Sequence, residues 1–170
     1  MSVIANLVVG ADGSTRLGGD SRGLSTPADR AFFLKARRYR DCIIIGGRTA
    51  ERRDYDTSPC PVIVLSRTSP SLLERNPQAL WWNSSPLDAI EKARKVFGTH
   101  IGIEAGPKLL ISFLQLHLVD ILDLSVTPVR GGDSNIDTKF LFSFFDKVER
   151  SEIDDTIFYH CTKAENSPAV

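Results

Sequence analysis

The stretch Asp41-Cys42-Ile43-Ile44-Ile45-Gly46-Gly47-Arg48-Thr49 decides the fold. Cys42 to Ile45 is apolar at every position, too short for a helix, and rich in β-branched side chains. A strand apolar on both faces belongs inside a parallel sheet covered on both sides. Gly46-Gly47 ends it, and a short helix is expected to follow to about residue 53.

The same alternation runs outward in both directions. Upstream, residues 3–9 read as a strand and residues 10–23 as a Gly-rich loop. Thr26-Pro27 then supplies an N-cap followed by a first-turn proline, opening a helix to about Tyr39. Downstream, residues 62–65 form the next strand and residues 79–82 a weaker one. Ser85-Pro86 caps a helix with Leu87, Ile90, Ala93 and Phe97 on one face, and Gly98 ends it. After a strand at 101–103, Gly106-Pro107 opens a helix with Leu109, Leu110, Phe113 and Leu114 inward. Residues 119–126 read as a strand. Residues 141–148 and 156–161 read as two more, paired as an antiparallel hairpin. This rhythm predicts an α/β three-layer sandwich, with a mostly parallel central sheet and an antiparallel C-terminal edge strand. One domain is expected over residues 1–163, with a frayed polar tail at 164–170.

Composition excludes several classes. The 170 residues suit one domain with its own core. Lys plus Arg equals Asp plus Glu at 21 each, so no global field favours nucleic acid or a membrane surface. The most apolar long stretch, residues 109–122, is broken by Gln115, His117 and Asp120 and is a poor membrane span. Three cysteines without CxxC spacing read as free thiols in a reducing compartment. No signal-peptide pattern opens the chain, so a cytoplasmic location is expected. His100, His117 and His160 lack metal-ligand spacing, and no metal is expected.

In an open parallel sheet, ligands sit beyond the carboxyl ends of the strands. Three successive strand ends carry anion-compatible chemistry. Gly46-Gly47-Arg48-Thr49 offers close backbone approach, a guanidinium and a hydroxyl. Leu65-Ser66-Arg67-Thr68 sets a hydroxyl beside a guanidinium, which suits the 2′-phosphate that separates NADP from NAD. Glu104-Ala105-Gly106-Pro107-Lys108 leads into a helix N-terminus, whose free N–H groups attract anions. Each alone also reads as an ordinary turn, and no GxGxxG fingerprint is present. Together they suggest a dinucleotide lying across one edge of the sheet. The first loop adds Ala11-Asp12-Gly13, then Ser25, Thr26 and Asp29. Asp29, three residues after the N-cap, reads either as a capping partner or as a carboxylate facing a substrate. The basic helix end Arg37-Arg38 with Arg40 reads as a partner of the helix dipole or of a substrate phosphate.

The order of these pieces resembles the reductase domain of the riboflavin-pathway deaminase–reductases. It runs from Ala11-Asp12-Gly13 through Gly18-Gly19-Asp20-Ser21-Arg22, Asp29, Arg37 and Gly46–Thr49 to Ile103–Leu110, Thr127-Pro128-Val129 and Gly131-Gly132. Pro27-Ala28-Asp29 with Phe33 is also similar to dihydrofolate reductase, which shares the fold. The resemblance implies a dihydrofolate-reductase-like domain using NADPH to reduce a small heterocycle, by hydride transfer to C1′ of a ribosylamino-pyrimidine. A pterin reductase and a non-catalytic relative share the same pattern. It further implies that Asp29 and Asp12 act catalytically, with Ala11, Ser25, Thr26 and Arg37 facing substrate. The cofactor would lie against Gly46, Gly47, Arg48, Thr49, Leu65, Ser66, Arg67, Glu104, Ala105, Gly106, Pro107, Lys108 and Leu109. A homodimer through the C-terminal strands is implied as well. Ser14 and Thr15 stand where the family often has a basic residue, and no zinc-deaminase signature occurs.

Overall fold

The computed structural model describes residues 2–164. Eight strands form one sheet: β1 (Ser2–Gly10), β2 (Cys42–Gly46), β3 (Val62–Leu65), β4 (Ala79–Trp82), β5 (His100–Ile103), β6 (Ile121–Thr127), β7 (Lys147–Ile153) and β8 (Thr156–Thr162). Their spatial order is β4-β3-β2-β5-β1-β6-β8-β7. The first six run parallel, β8 adds antiparallel to β6, and β7 pairs antiparallel with β8 at the edge. The expected architecture is present, down to the antiparallel edge.

The helices are α1 (Pro27–Arg37), α2 (Leu72–Arg75), α3 (Pro86–Val96), α4 (Pro107–Gln115) and α5 (Thr138–Phe142). Their caps follow from local chemistry. Thr26 Oγ1 accepts the N–H of Asp29, and Ser85 Oγ that of Asp88, each with proline at the first helical position. Two clusters sandwich the sheet. The larger joins Val3, Ala5, Ile44, Ile63, Ile101, Ile103 and Leu122 to Ile90 of α3 and Phe113 of α4. The smaller joins Ile43, Ile45, Val62 and Val64 to Tyr55 and Leu72 on the opposite face. Cys42, Cys60 and Cys161 are free and buried. Burial pushes the Cys42 thiol up to about 12 and that of Cys161 to about 11, so neither is a nucleophile.

Several expectations need correction. Residues 141–148 do not form a strand. Asp137 caps α5 by accepting the Lys139 N–H at 2.9 Å, and the aromatic run then turns back through Phe144 N–H to Leu141 O and Phe145 N–H to Phe142 O. Strand β7 begins only at Lys147, and every residue in it is exposed. An apolar run without period-2 alternation cannot separate strand from buried helix, and Leu141 is wholly buried. The expected strand at 119–126 starts later, because Asp120 turns to accept the Val3 N–H. The helix after β2 resolves into two 3-10 turns, Thr49–Glu51 and Arg53–Tyr55. Leu87 faces solvent rather than the core. Helix α2 had no counterpart in the sequence reading. Ala164 is tied down, its N–H donating to Asp146 Oδ2, and the rest of the expected tail lies outside the described residues.

Candidate active site

Because β1 to β6 are parallel, their C-terminal ends share one rim. A single cleft of about 1730 Å³ opens there. The three strand-end loops all reach its wall: Gly46 to Thr49, Leu65 to Thr68, and Glu104 to Leu109. The glycines are fitted to close approach. A Cβ on Gly47 would lie 3.0 Å from the Ser66 Cβ, while one on Gly106 would meet nothing within 4 Å. Helix α4 starts at Gly106 with no side-chain cap, which leaves its first N–H groups for an incoming anion. Arg48, Arg67 and Lys108 are exposed cations along this rim. Ser66 differs from expectation. Its hydroxyl donates to Thr68 O at 2.7 Å and its N–H to Trp82 O, so Arg67 is the open cation of that loop. Asn83, Ser84 and Pro86 extend this end of the cleft, and the sequence reading missed them.

Glu104 and Arg37 do not stand free. They form a buried fork, Arg37 Nε to Glu104 Oε1 at 2.9 Å and Nη2 to Oε2 at 2.7 Å. The Tyr55 hydroxyl donates to the same Oε2 at 2.8 Å. The guanidinium is stacked between the Phe33 and Tyr55 rings, 4.5 Å from each centroid. Burial works against the charged guanidinium, but the Glu104 carboxylate outweighs it and holds Arg37 above its ordinary value. Burial, then Glu104, likewise holds the Tyr55 phenol up, so it remains a donor. Arg37 was expected to face substrate. At 3% exposure it is instead a brace beneath the wall that Phe33, Tyr55 and Glu104 line.

One turn before Phe33, helix α1 presents Asp29. It is buried, lines the cleft, and accepts a hydrogen bond from Ser25 Oγ at 2.5 Å. Thr26 is behind it, bonded to Thr156 across the fold rather than turned to the cleft. Ala11 and Asp12 also lie off the wall. Asp12 is the hub of a loop clamp. Its Oδ1 accepts the Ser14 N–H and hydroxyl, at 3.1 and 2.6 Å, and its Oδ2 accepts the Gly131 N–H at 2.8 Å. Those donors, the Ser14 hydroxyl first, hold the carboxyl at about 2, below its ordinary 3.8. A lowered folded-state value means a stabilising contribution present in full above the ordinary value and lost as pH falls through about 2. Asp12→Asn is therefore expected to lower the melting temperature at neutral pH, and the gap from wild type should close on acidification. A gap that is constant with pH would show that Asp12 acts by shape alone.

Sequence reasoning missed a second ionic feature. Asp54, on the turn after β2, meets three guanidiniums from three segments: Arg22 at 3.2 Å, Arg30 at 3.4 Å, and Arg52. Burial pushes the Asp54 carboxyl up, yet Arg52, Arg30 and Arg22 prevail and hold it below its ordinary value. All four side chains line the cleft, so three cations face one anion there. Arg52 is a near neighbour in sequence, but no sequence signal could have brought Arg22 and Arg30 to Asp54. The floor was missed as well, although it left a local signal. Asn6, Asp123 and Ser125 line the cleft as polar interruptions at alternate positions of apolar strands. Among the described residues no group of three metal-ligating side chains occurs, and no helix is long and apolar enough to cross a membrane.

Comparison with known proteins fits this geometry. A family model described as the RibD C-terminal domain matches residues 1–143. No protein of curated function matches significantly. Among solved structures, RibD of Acinetobacter baumannii superposes with a TM-score of 0.75 at 18% identity, over 96% of this chain and 58% of that one. A diaminohydroxyphosphoribosylaminopyrimidine deaminase/5-amino-6-(5-phosphoribosylamino)uracil reductase from Thermotoga maritima gives 0.68 at 14%, over 96% and 56%. A pyrimidine reductase-like protein from Corynebacterium diphtheriae gives 0.60 at 16%, over 97% and 92%. The chain thus spans little more than half the length of the first two. At such identities the likeness concerns the fold, which is that of dihydrofolate reductase-like domains.

Proposed function

Because this chain belongs to the RibD C-terminal domain family, we infer that it is an NADPH-dependent reductase of a phosphorylated ribosylamino-pyrimidine. The observation that carries this is the convergence of three anion-compatible strand ends on one cleft whose wall includes Asp29. NADPH, when bound, supplies the hydride. Gly46 and Gly47 and the uncapped start of α4 receive its diphosphate through backbone N–H groups, and Arg67 meets the 2′-phosphate. Phe33, braced from behind by Arg37, borders the heterocycle, and Asp29 accepts its N–H donors.

The arginine cluster at Asp54 favours a phosphorylated substrate. Its two uncompensated positive charges suit a phosphate, and a pterin brings none. Ser14 and Thr15 are buried and supply no charge, so this cluster takes the place of a basic residue after Asp12-Gly13. The homodimer remains part of this reading, since β7 ends the sheet with an unpaired outer edge.

The test is NADPH consumption with the ribosylamino-pyrimidine 5′-phosphate and with dihydrofolate. The first compound alone is expected to be reduced. Replacing Arg67 with glutamine is expected to weaken NADPH by roughly 1–3 kcal/mol and NADH hardly at all. Equal losses for the two cofactors would show that Arg67 does not read the 2′-phosphate. Absence of NADPH binding at millimolar concentration would overturn the whole reading.

A further inference from the structure

One cleft residue has a connection to the outside. Asp123 on β6 pairs in register with Asn6 on β1, two strands beyond β5, the last strand to carry a cofactor loop. On its other side its antiparallel partner is His160 of β8. The His160 Nδ1 lies 2.6 Å from Asp123 Oδ1. As cross-strand partners the two side chains share one face of the sheet but differ in exposure. Asp123 lines the cleft and is 13% exposed, whereas His160 is 48% exposed and stands outside the wall. One short hydrogen bond therefore joins the cleft interior to the outer surface.

The reaction inferred above needs such a joint. As hydride forms the new C–H bond at C1′, the bond from C1′ to the ring oxygen breaks. The electron pair left on that oxygen must take up one proton. Glu104 is bound to Arg37, and Asp54 to three arginines, so both are held as acceptors. Asp29 is buried against Ser25. Asp123 is the wall carboxylate bonded to an imidazole, the side chain whose ordinary titration falls near neutral pH.

We propose that Asp123 and His160 form the proton-entry relay of this reductase, with His160 drawing protons from solvent and Asp123 delivering them to the oxygen released from C1′. The proposal rests on the reading of the preceding subsection. The loaded pair carries one proton more than a carboxylate beside a neutral imidazole. Donation to the oxygen gives the product hydroxyl and leaves that carboxylate and neutral imidazole. One proton taken from water at the exposed ring restores the pair. Other charged groups face it. Glu149 lies opposite His160 on β7 and is itself bonded to Lys147. Arg40, between α1 and β2, lies beside Gly102 on this face and feels the Asp123 charge.

The test is steady-state kinetics of the full chain with NADPH and the ribosylamino-pyrimidine 5′-phosphate, for wild type, His160→Ala and Asp123→Asn. Both variants are expected to lose about 10²-fold in kcat with KM for both ligands unchanged. The pH dependence of kcat through the neutral range should flatten in His160→Ala, and added imidazole should restore part of its rate. A purely structural pair would instead lower the melting temperature and would not respond to imidazole. An active wild type with an unaffected His160→Ala, or a loss that imidazole does not relieve, overturns the relay alone. A wild type that reduces nothing overturns the relay together with the reading beneath it.

Discussion

Arg37→Ala is expected to cost roughly 3–5 kcal/mol of stability, because it strands the Glu104 carboxylate in a site from which water is excluded. The guanidinium makes three bonds to Glu104, donates to the Asp54 carbonyl oxygen at 3.3 Å, and fills the space between Phe33 and Tyr55. Alanine removes all of these and leaves only the Tyr55 hydroxyl on the acid. Urea unfolding measures the loss. Arg37→Met combined with Glu104→Gln should recover much of it, since a neutral pair leaves no buried charge unmet. If the single and double variants lose equally, packing rather than charge is what matters at this brace. Activity should fall with either, because Glu104 begins the loop that leads into α4.

Asp29→Asn is expected to lower kcat by about 10²- to 10⁴-fold while NADPH affinity stays unchanged. Asparagine preserves the shape of the side chain, and the cap of α1 uses the residue 29 N–H rather than its carboxylate. Stability should therefore hold. What changes is the ability to accept donors from the heterocycle on both oxygens. Kinetics with NADPH and the pyrimidine substrate separate two possibilities. A fall in kcat marks a contact strengthened in the transition state, and a rise in KM alone marks a contact equally good before the reaction. A variant with wild-type kcat and KM would remove Asp29 from the site altogether.

The architecture was legible where local chemistry leaves one solution. Cys42 to Ile45 could only be an interior strand, and Thr26-Pro27 and Ser85-Pro86 could only open helices. Around Phe140 to Phe145 that clarity failed. Aromatic residues serve strand and buried helix equally, and the deciding Asp137 cap lies before the run. In the site, the strand-end loops were visible because glycine and helix starts have local signatures. The roles of Arg37 and Glu104 were not, because 67 residues separate them and nothing in either segment announces the other. Asp12 misled for a related reason. Its turn signature was genuine, but the donor from Gly131 that turns its carboxylate away from the cleft comes from the far end of the chain. The Asp54 cluster and the Asp123–His160 pair are likewise products of topology, assembled only when the sheet order brings distant strands together.

Strand β1 sits between β5 and β6, so it pairs only with segments made much later in the chain. During vectorial synthesis the chain must extend past Ile103 before either edge of that opening segment is covered, and past Thr127 before both are. The Gly-rich loop waits longer still, since Arg16 closes on Asp133 across 117 residues. Such remote closures come late and slowly. The end of the cleft built by the loops after β2, β3 and β5 can thus take shape on a nascent chain while the end bounded by residues 10–23 is still missing a wall.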